Sequence, residues 1–144
     1  MDGLTIAASV IQFVDFASRL VAKGVAIHGS SDGLTVGHQE LEGLTDHLTA
    51  DIKELEKSLQ ARGQNHELTS SEKVQEQMSI DCQRIATELL GALDQLKAKG
   101  PKTKWKSFRQ ALKSTWHDEK VQALERRLDR FRQQLITSVL GTLR

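Results

Sequence analysis

The residues of this chain best suited to metal or acid–base chemistry are its five histidines, and each stands alone in the sequence. They are His28, His38, His47, His66 and His117. The best metal-like pair is His47 with Asp51, because residues four apart share one face of a helix. A zinc site needs three or four ligands, so this pair is interpreted as an exposed polar contact and no metal site is predicted.

Nucleophilic or redox chemistry would depend on Cys82, the single cysteine of the chain. Cys82 lies between Met78 and Ile85 in an apolar stripe, where a free cysteine behaves as a small buried hydrophobe. A lone cysteine allows no intrachain disulfide and favours a reducing compartment. The sequence has no phosphate-binding loop, no GxSxG and no CxxC. We predict a non-enzymatic, cytoplasmic protein without cofactors.

A basic stretch covers residues 99–113, and no acidic residue lies between Asp94 and Asp118. Near an anionic leaflet each such charge contributes about 1 kcal/mol, so a lipid or partner surface is predicted here. The alternatives are a solvated face, or a docking surface for the acidic second helix of a neighbouring copy, since residues 35–68 carry −4 and residues 101–144 carry +7. Nucleic acid is not the expected partner. The candidate basic residues are Lys99, Lys102, Lys104, Lys106, Arg109 and Lys113.

Of the two tryptophans, Trp105 lies within this basic stretch and Trp116 follows it. Exposed aromatic rings can stack on single-stranded nucleic acid. Both tryptophans share a helical spacing with Phe108 and Leu112, however, and large aromatics contribute most to cores in a chain so poor in aromatic residues. We therefore interpret them as core residues.

The elements that position these residues are predicted to be helices. The chain is rich in Leu, Ala, Glu, Gln, Lys and Arg and contains a single proline. Breaks rich in Gly, Ser, Asn or Pro at 28–33, 61–71 and 97–102 leave four long segments. We predict one all-α domain over 1–144, an antiparallel helical bundle of four long helices plus one short helix before the last. The predicted helices span about 3–28, 35–61, 70–98, 103–116 and 118–142.

Apolar residues three and four positions apart define the predicted core of this bundle. Thr69 and Glu72 have the spacing of a capping box, which predicts a helix start near Ser70. Asp118 and Glu119 complement the start of the last helix. The predicted core residues are Leu44, Leu48, Ile52, Leu55, Ile85, Leu89, Trp105, Phe108, Leu112, Trp116, Leu124, Leu128, Phe131 and Leu135.

The first helix is apolar around most of its circumference, which is typical of a helix buried on several sides or provided with a second partner. A secretory signal is not expected, since Asp2 stands where a positive charge is required. A bilayer span needs about 20 apolar residues, and Asp15, Arg19 and Lys23 interrupt the run. Asp15 and Arg19 are expected to pair, one turn apart. The candidate membrane or activation residues are Leu4, Ile6, Val10, Ile11, Phe13 and Val14.

Three stretches together resemble a known family: IQFVDFASRLV (11–21), KWKSFRQALKSTW (104–116) and LERRLDRFRQQL (124–135). The chain is similar in them to the N-terminal helical domain of fungal NLR-like STAND receptors, the group described as HeLo-like. Residues 35–98 resemble that family in their pattern of leucines alone.

This resemblance implies a cell-death effector in fungal self/non-self recognition, including heterokaryon incompatibility and innate immunity. Such domains precede a NACHT-type nucleotide-binding module and ankyrin or similar repeats. Related four-helix domains oligomerise and act on membranes, and in the incompatibility proteins the N-terminal apolar helix carries that action, which corresponds here to residues 4–21. The present chain contains no nucleotide-binding or repeat module, so we expect either a fragment of a receptor or a stand-alone effector.

Two functions are therefore expected for this chain. The first is an effector or signalling domain that oligomerises on activation and moves from the cytoplasm to the plasma membrane, acting through its first helix. Its expected partners are further copies of itself, anionic membrane lipids, and downstream nucleotide-binding and repeat modules. The alternative is an adaptor or oligomerisation module that contacts other protein helices and has no membrane activity.

Overall fold

The computed structural model describes residues 2–22, 38–61, 70–99 and 107–143. This part of the chain contains five helices and no strand, so the prediction of an all-α protein is confirmed. The helices are α1 (Asp2–Val21), α2 (His38–Ala61), α3 (Ser70–Lys97), α4 (Phe108–Lys113) and α5 (Asp118–Leu143).

The first helix is shorter than the predicted span of 3–28. It ends at Val21, and Ala22 forms a bend, while residues 23–28 lie outside the described part of the chain. A contact distant in sequence accompanies this end, since the Arg109 guanidinium of α4 donates to the Val21 carbonyl oxygen at 2.6 Å. A carbonyl in the last turn has no partner within its own helix, and a cation there is favourable for the helix dipole.

The fourth helix is also shorter than the predicted span of 103–116. Ser107 has an extended backbone (φ −152°, ψ 163°), and its hydroxyl accepts a hydrogen bond from the Gln110 backbone N–H at 3.1 Å, so the helix begins at Phe108. Ser114 ends it by donating to the Ala111 carbonyl oxygen at 2.6 Å. Trp116 therefore lies beyond the helix, so the prediction that the helix continues to residue 116 is wrong, while Phe108 and Leu112 lie on it as predicted and Trp105 lies outside the described residues.

Helix α1 is the centre of the fold, because it contacts α2, α3, α4 and α5. Its side chains Ile6, Val10 and Ala17 are fully buried, and Phe13 is 1% exposed. A helix apolar on several sides can bury all of them only if neighbours surround it. Of the two alternatives for this helix, burial on several sides is the one observed in the structure.

The remaining apolar stripes converge on α1 in a single core. Cys82, Ile85 and Leu89 of α3 lie in this core together with Phe108 and Leu112 of α4. Trp116 is partly buried, with the Lys120 ammonium 4.3 Å from its ring centre. Of the other predicted core residues, Ile52 is partly buried, Trp105 lies outside the described part, and the following are buried: Leu44, Leu48, Leu55, Leu124, Leu128, Phe131 and Leu135.

Candidate functional site: the groove between the first and last helices

An open groove of about 530 Å³ runs between α1 and α5. Val14 and Leu135 are buried beneath it, at 2% and 3% exposed. Ile11 and Ile136 stand at its sides with 45% and 56% of their surfaces exposed. The remaining lining residues are Gln12, Asp15 and Arg132. Two branched apolar side chains thus face solvent at one site, which is the usual mark of an interaction surface when such residues cluster.

A second groove of about 510 Å³ continues along the same pair of helices, and its character is polar. Arg19 lies on the α1 side, while Glu125, Arg126, Asp129 and Arg132 lie on the α5 side. Asp15 and Arg19 pair at 2.9 Å, with side chains 58% and 71% exposed, as expected from their spacing. An ion pair so exposed contributes about 0.2–1 kcal/mol, so either residue can exchange its partner readily.

Arg109 was predicted to belong to an exposed basic surface, and this prediction is wrong. It is 4% exposed and lies in the interior. Its Nη1 atom donates to the Val21 carbonyl oxygen and, at 3.1 Å, to the Glu125 carboxylate, so it joins α1, α4 and α5. Its Nε and Nη2 atoms are buried and have no hydrogen-bond partner among the described residues. Arg109 is therefore an interior connector of three helices.

Of the other predicted basic residues, the structure describes Lys99 and Lys113. Lys113 is exposed, and its ammonium lies 2.8 Å from the Asp118 carboxylate. The hydrogen bond from Lys113 holds the pKa of Asp118 below its ordinary value. Lys99 is exposed and donates to the Ser114 hydroxyl at 3.3 Å. The remaining members, Lys102, Lys104 and Lys106, lie outside the described residues.

The candidate membrane residues of α1 point mainly into the core. Ile6, Val10, Phe13 and Val14 are buried, whereas Ile11 faces the groove. Leu4 belongs to α1, but its side chain is outside the described part. Among the described residues, no helix combines the length and apolarity needed to cross a bilayer.

His47 and Asp51 form the predicted pair on α2, with Nε2 and Oδ2 separated by 3.5 Å. The Asp51 side chain is 21% exposed, less than the prediction of an exposed pair implies, and the Phe16 ring of α1 stacks on His47 with centroids 3.7 Å apart. Burial raises the pKa of Asp51, and the electrostatic interaction with His47 opposes that rise. No cluster of three or more potential metal ligands occurs within the described segments.

Cys82 is fully buried, as its place in the apolar stripe predicts. Burial raises the pKa of its thiol to about 12, and the neighbouring Asp81 carboxylate acts in the same direction. Because the thiolate is the reactive form, this cysteine is protected from redox and nucleophilic chemistry in the folded protein.

Sequence reasoning missed the groove and the interior role of Arg109. Ile136 directly follows Leu135, which belongs to the regular apolar stripe of α5, so an additional apolar residue beside that stripe was the available signal. Nothing in the spacing showed that α1 and α5 are neighbours, because that contact joins the two ends of the described chain.

Comparison of the chain with protein-family models, with curated proteins and with solved structures gives no match.

Proposed function

We propose that this chain is a non-enzymatic effector or signalling domain of the HeLo-like, NLR-associated type, which oligomerises on activation and then acts on membranes through α1. The resemblance of residues 11–21, 104–116 and 124–135 supports the family. The observation that carries the mechanism is the central place of α1, which contacts all four other helices. A change in the position of α1 must therefore alter the whole domain.

The proposed resting architecture is an antiparallel bundle of the four long helices, with α4 before the last. Lys97, at the end of α3, lies 3.7 Å from Glu42 near the start of α2, which supports opposite directions for these neighbours. The grooves between α1 and α5 support the same arrangement. Residues 11–15 lie beside 132–136, and residues 18–22 lie beside 125–132.

Release of α1 is strongly unfavourable in the resting state. Burial of a large apolar side chain contributes about 1.5–3 kcal/mol, so the four buried candidates in α1 contribute about 6–12 kcal/mol together. The whole stability of a domain is about 5–15 kcal/mol. Exposure of α1 to water would therefore remove most of the stability, whereas transfer to lipid or to a neighbouring copy would replace the lost apolar contacts. Clustering by a receptor supplies the conditions for such a transfer.

A reversible disulfide tests this release directly. The Ser9 and Ser58 hydroxyl oxygens are 2.7 Å apart and buried between α1 and α2, so the double variant Ser9→Cys/Ser58→Cys is suited to cross-linking these helices. The full chain, alone and fused to an oligomerising coiled coil, is mixed with vesicles of phosphatidylcholine and phosphatidylserine and separated by flotation. The single variant Ser9→Cys is the matched control, and Cys82 is buried and unreactive.

We expect the reduced forced oligomer to float with the vesicles and to release a dye trapped inside them, and the oxidised double variant to lose both properties. Addition of a reductant should restore them. Failure of every form to bind vesicles contradicts membrane action, and equal binding by the oxidised and reduced forms contradicts release of α1.

The second candidate function is an adaptor or oligomerisation module without membrane activity. The exposure of Ile11 and Ile136 at one groove favours it, because this surface is available without any movement of α1. The same locked variant distinguishes the two functions. An adaptor keeps its self-association in solution when α1 is cross-linked to α2 and binds no vesicles in either form, whereas the membrane effector loses vesicle binding when it is cross-linked.

A further inference from the structure

We infer that the α1–α5 groove is the surface on which a second copy of this chain docks, with a two-fold axis along the seam between the two helices. This inference rests on the proposed oligomerisation and names its surface.

The groove concentrates exposed apolar surface. The exposed large hydrophobic side chains among the described residues are Ile11, Val74, Ile80 and Ile136. Ile11 and Ile136 stand on opposite sides of one groove, whereas Val74 lines a separate groove with charged and amide side chains around it. Ile80 lines none of these grooves. Among the described residues, the α1–α5 groove is therefore the surface where burial by a partner would remove the most clustered apolar area from water.

The charges along the seam identify the occupant. At the level of the first groove, α1 carries Asp15 and α5 carries Arg132. At the level of the second groove, α1 carries Arg19, while α5 carries both signs: the acids Glu125 and Asp129 and the bases Arg126 and Arg132. A wholly acidic or wholly basic partner would therefore meet a like charge at each level of the seam.

A second copy supplies an opposite charge to the α1 residue at both levels. In a two-fold contact the same patch serves on both molecules, so it must be complementary to itself. An axis along the seam places α1 of one copy over α5 of the other at the same level. Asp15 then faces Arg132, Arg19 faces Asp129, and Ile11 faces Ile136, each pair formed twice across the interface.

The size of this surface indicates a weak dimer. Two helices over about three turns give an interface at or below about 1,200 Å², which is the range of transient contacts. The pairs at its edge are exposed, so they contribute specificity more than affinity. Such an interface forms when molecules are concentrated or clustered, as the proposed activation requires.

Sedimentation equilibrium of the full chain over a range of concentrations tests the surface. We expect reversible dimerisation, weakened at least tenfold by Ile136→Glu. Both this residue and Ile80 are exposed on helices, so Ile80→Glu on α3 is the matched control and should leave the dimer unchanged. Circular dichroism and urea unfolding verify that each variant is folded.

Charge exchange gives a result that misfolding cannot imitate. The variant Asp15→Arg has a basic residue at both position 15 and position 132. The variant Arg132→Asp has an acidic residue at both positions. Each variant alone should be at least tenfold weaker in self-association, whereas an equimolar mixture should form a heterodimer, and the double variant should again form a homodimer.

Several outcomes would overturn the inference: a wild-type chain that is monomeric at every concentration, equal weakening by Ile80→Glu, or a mixture that does not associate. If the forced oligomer still floats with vesicles in any of these cases, the proposed function stands and the groove assignment alone fails. If the dimer forms and neither the free chain nor the forced oligomer binds membrane, the surface stands and membrane action fails.

Discussion

Arg109 shows how one side chain can join distant parts of this chain. Its guanidinium is 4% exposed and bonds both the last carbonyl of α1 and the Glu125 carboxylate of α5. A buried arginine is stable only when its hydrogen bonds compensate for lost hydration, and removal of one partner leaves the others unsatisfied. Two of its nitrogen atoms lack a hydrogen-bond partner among the described residues. The buried Arg109–Glu125 ion pair is therefore less stabilising than one in which every guanidinium nitrogen is hydrogen-bonded.

We expect Arg109→Met to lower the free energy of unfolding by about 2 kcal/mol, because the Val21 carbonyl loses its charged donor and Glu125 loses its partner. Urea unfolding followed by circular dichroism measures this change. Arg126→Met, on the exposed side of α5, is the matched control and should change stability by less than about 0.5 kcal/mol. Equal effects of the two variants would contradict an interior connecting role for Arg109.

At this scale the sequence predicted apolar residues better than charged ones. The burial of Cys82 follows from its position between Met78 and Ile85, because a regular stripe fixes which side of a helix faces the core. Arg109 was expected on a basic surface, since its neighbours in sequence are basic. Its burial depends on the carbonyl of Val21 and the carboxylate of Glu125, two groups that no local pattern brings together.

Among the elements, the long helices were the predictable ones. Helices α2, α3 and α5 begin and end within a few residues of the predicted spans, because each has an uninterrupted apolar stripe over several turns. Helix α4 was predicted too long because the spacing of Trp105, Phe108, Leu112 and Trp116 suits a helix. The serines at its two ends set its length instead, since their hydroxyl groups bond to backbone atoms of the helix.

The cap at Ser107 can be tested by substitution. We expect Ser107→Ala to lower the free energy of unfolding by about 0.5–2 kcal/mol, since the Gln110 N–H loses its acceptor. Ser107→Asp keeps an acceptor at this position and should retain most of the stability. Thermal unfolding of both variants provides the measurement, and an equal loss in both would show that the hydroxyl acts through some other contact.

The whole molecule depends on α1 more than on any other helix, because α1 contacts each of the other four. Regions with many buried contacts open only when the whole domain unfolds. Helical periodicity predicts the fold class of such a domain, because it shows that the elements are helices. It does not predict which helices are neighbours. The contact between α1 and α5, and therefore the groove, became visible only when both helices were placed together.

Hydrogen exchange tests the central position of α1. We expect the amides of residues 10–17 to exchange with the free energy of global unfolding, and those of α4 to exchange at a lower free energy, because that helix has a single full turn of internal bonding. The global value comes from urea unfolding under the same conditions. Exchange in α1 at a free energy several kcal/mol below that of α3 would contradict a firmly held resting position.

The central position of α1 has a further consequence during protein synthesis. This helix precedes all of its partners in the chain, and its last partner begins at Asp118. Translation adds about 5–20 residues per second, so the apolar surface of α1 waits roughly 5–20 s for α5 to be made. Until then, the apolar side chains of α1 that pack on α5 lack their final neighbour. We expect nascent chains cut short before α5 to be the species that chaperones bind most strongly and that aggregate first.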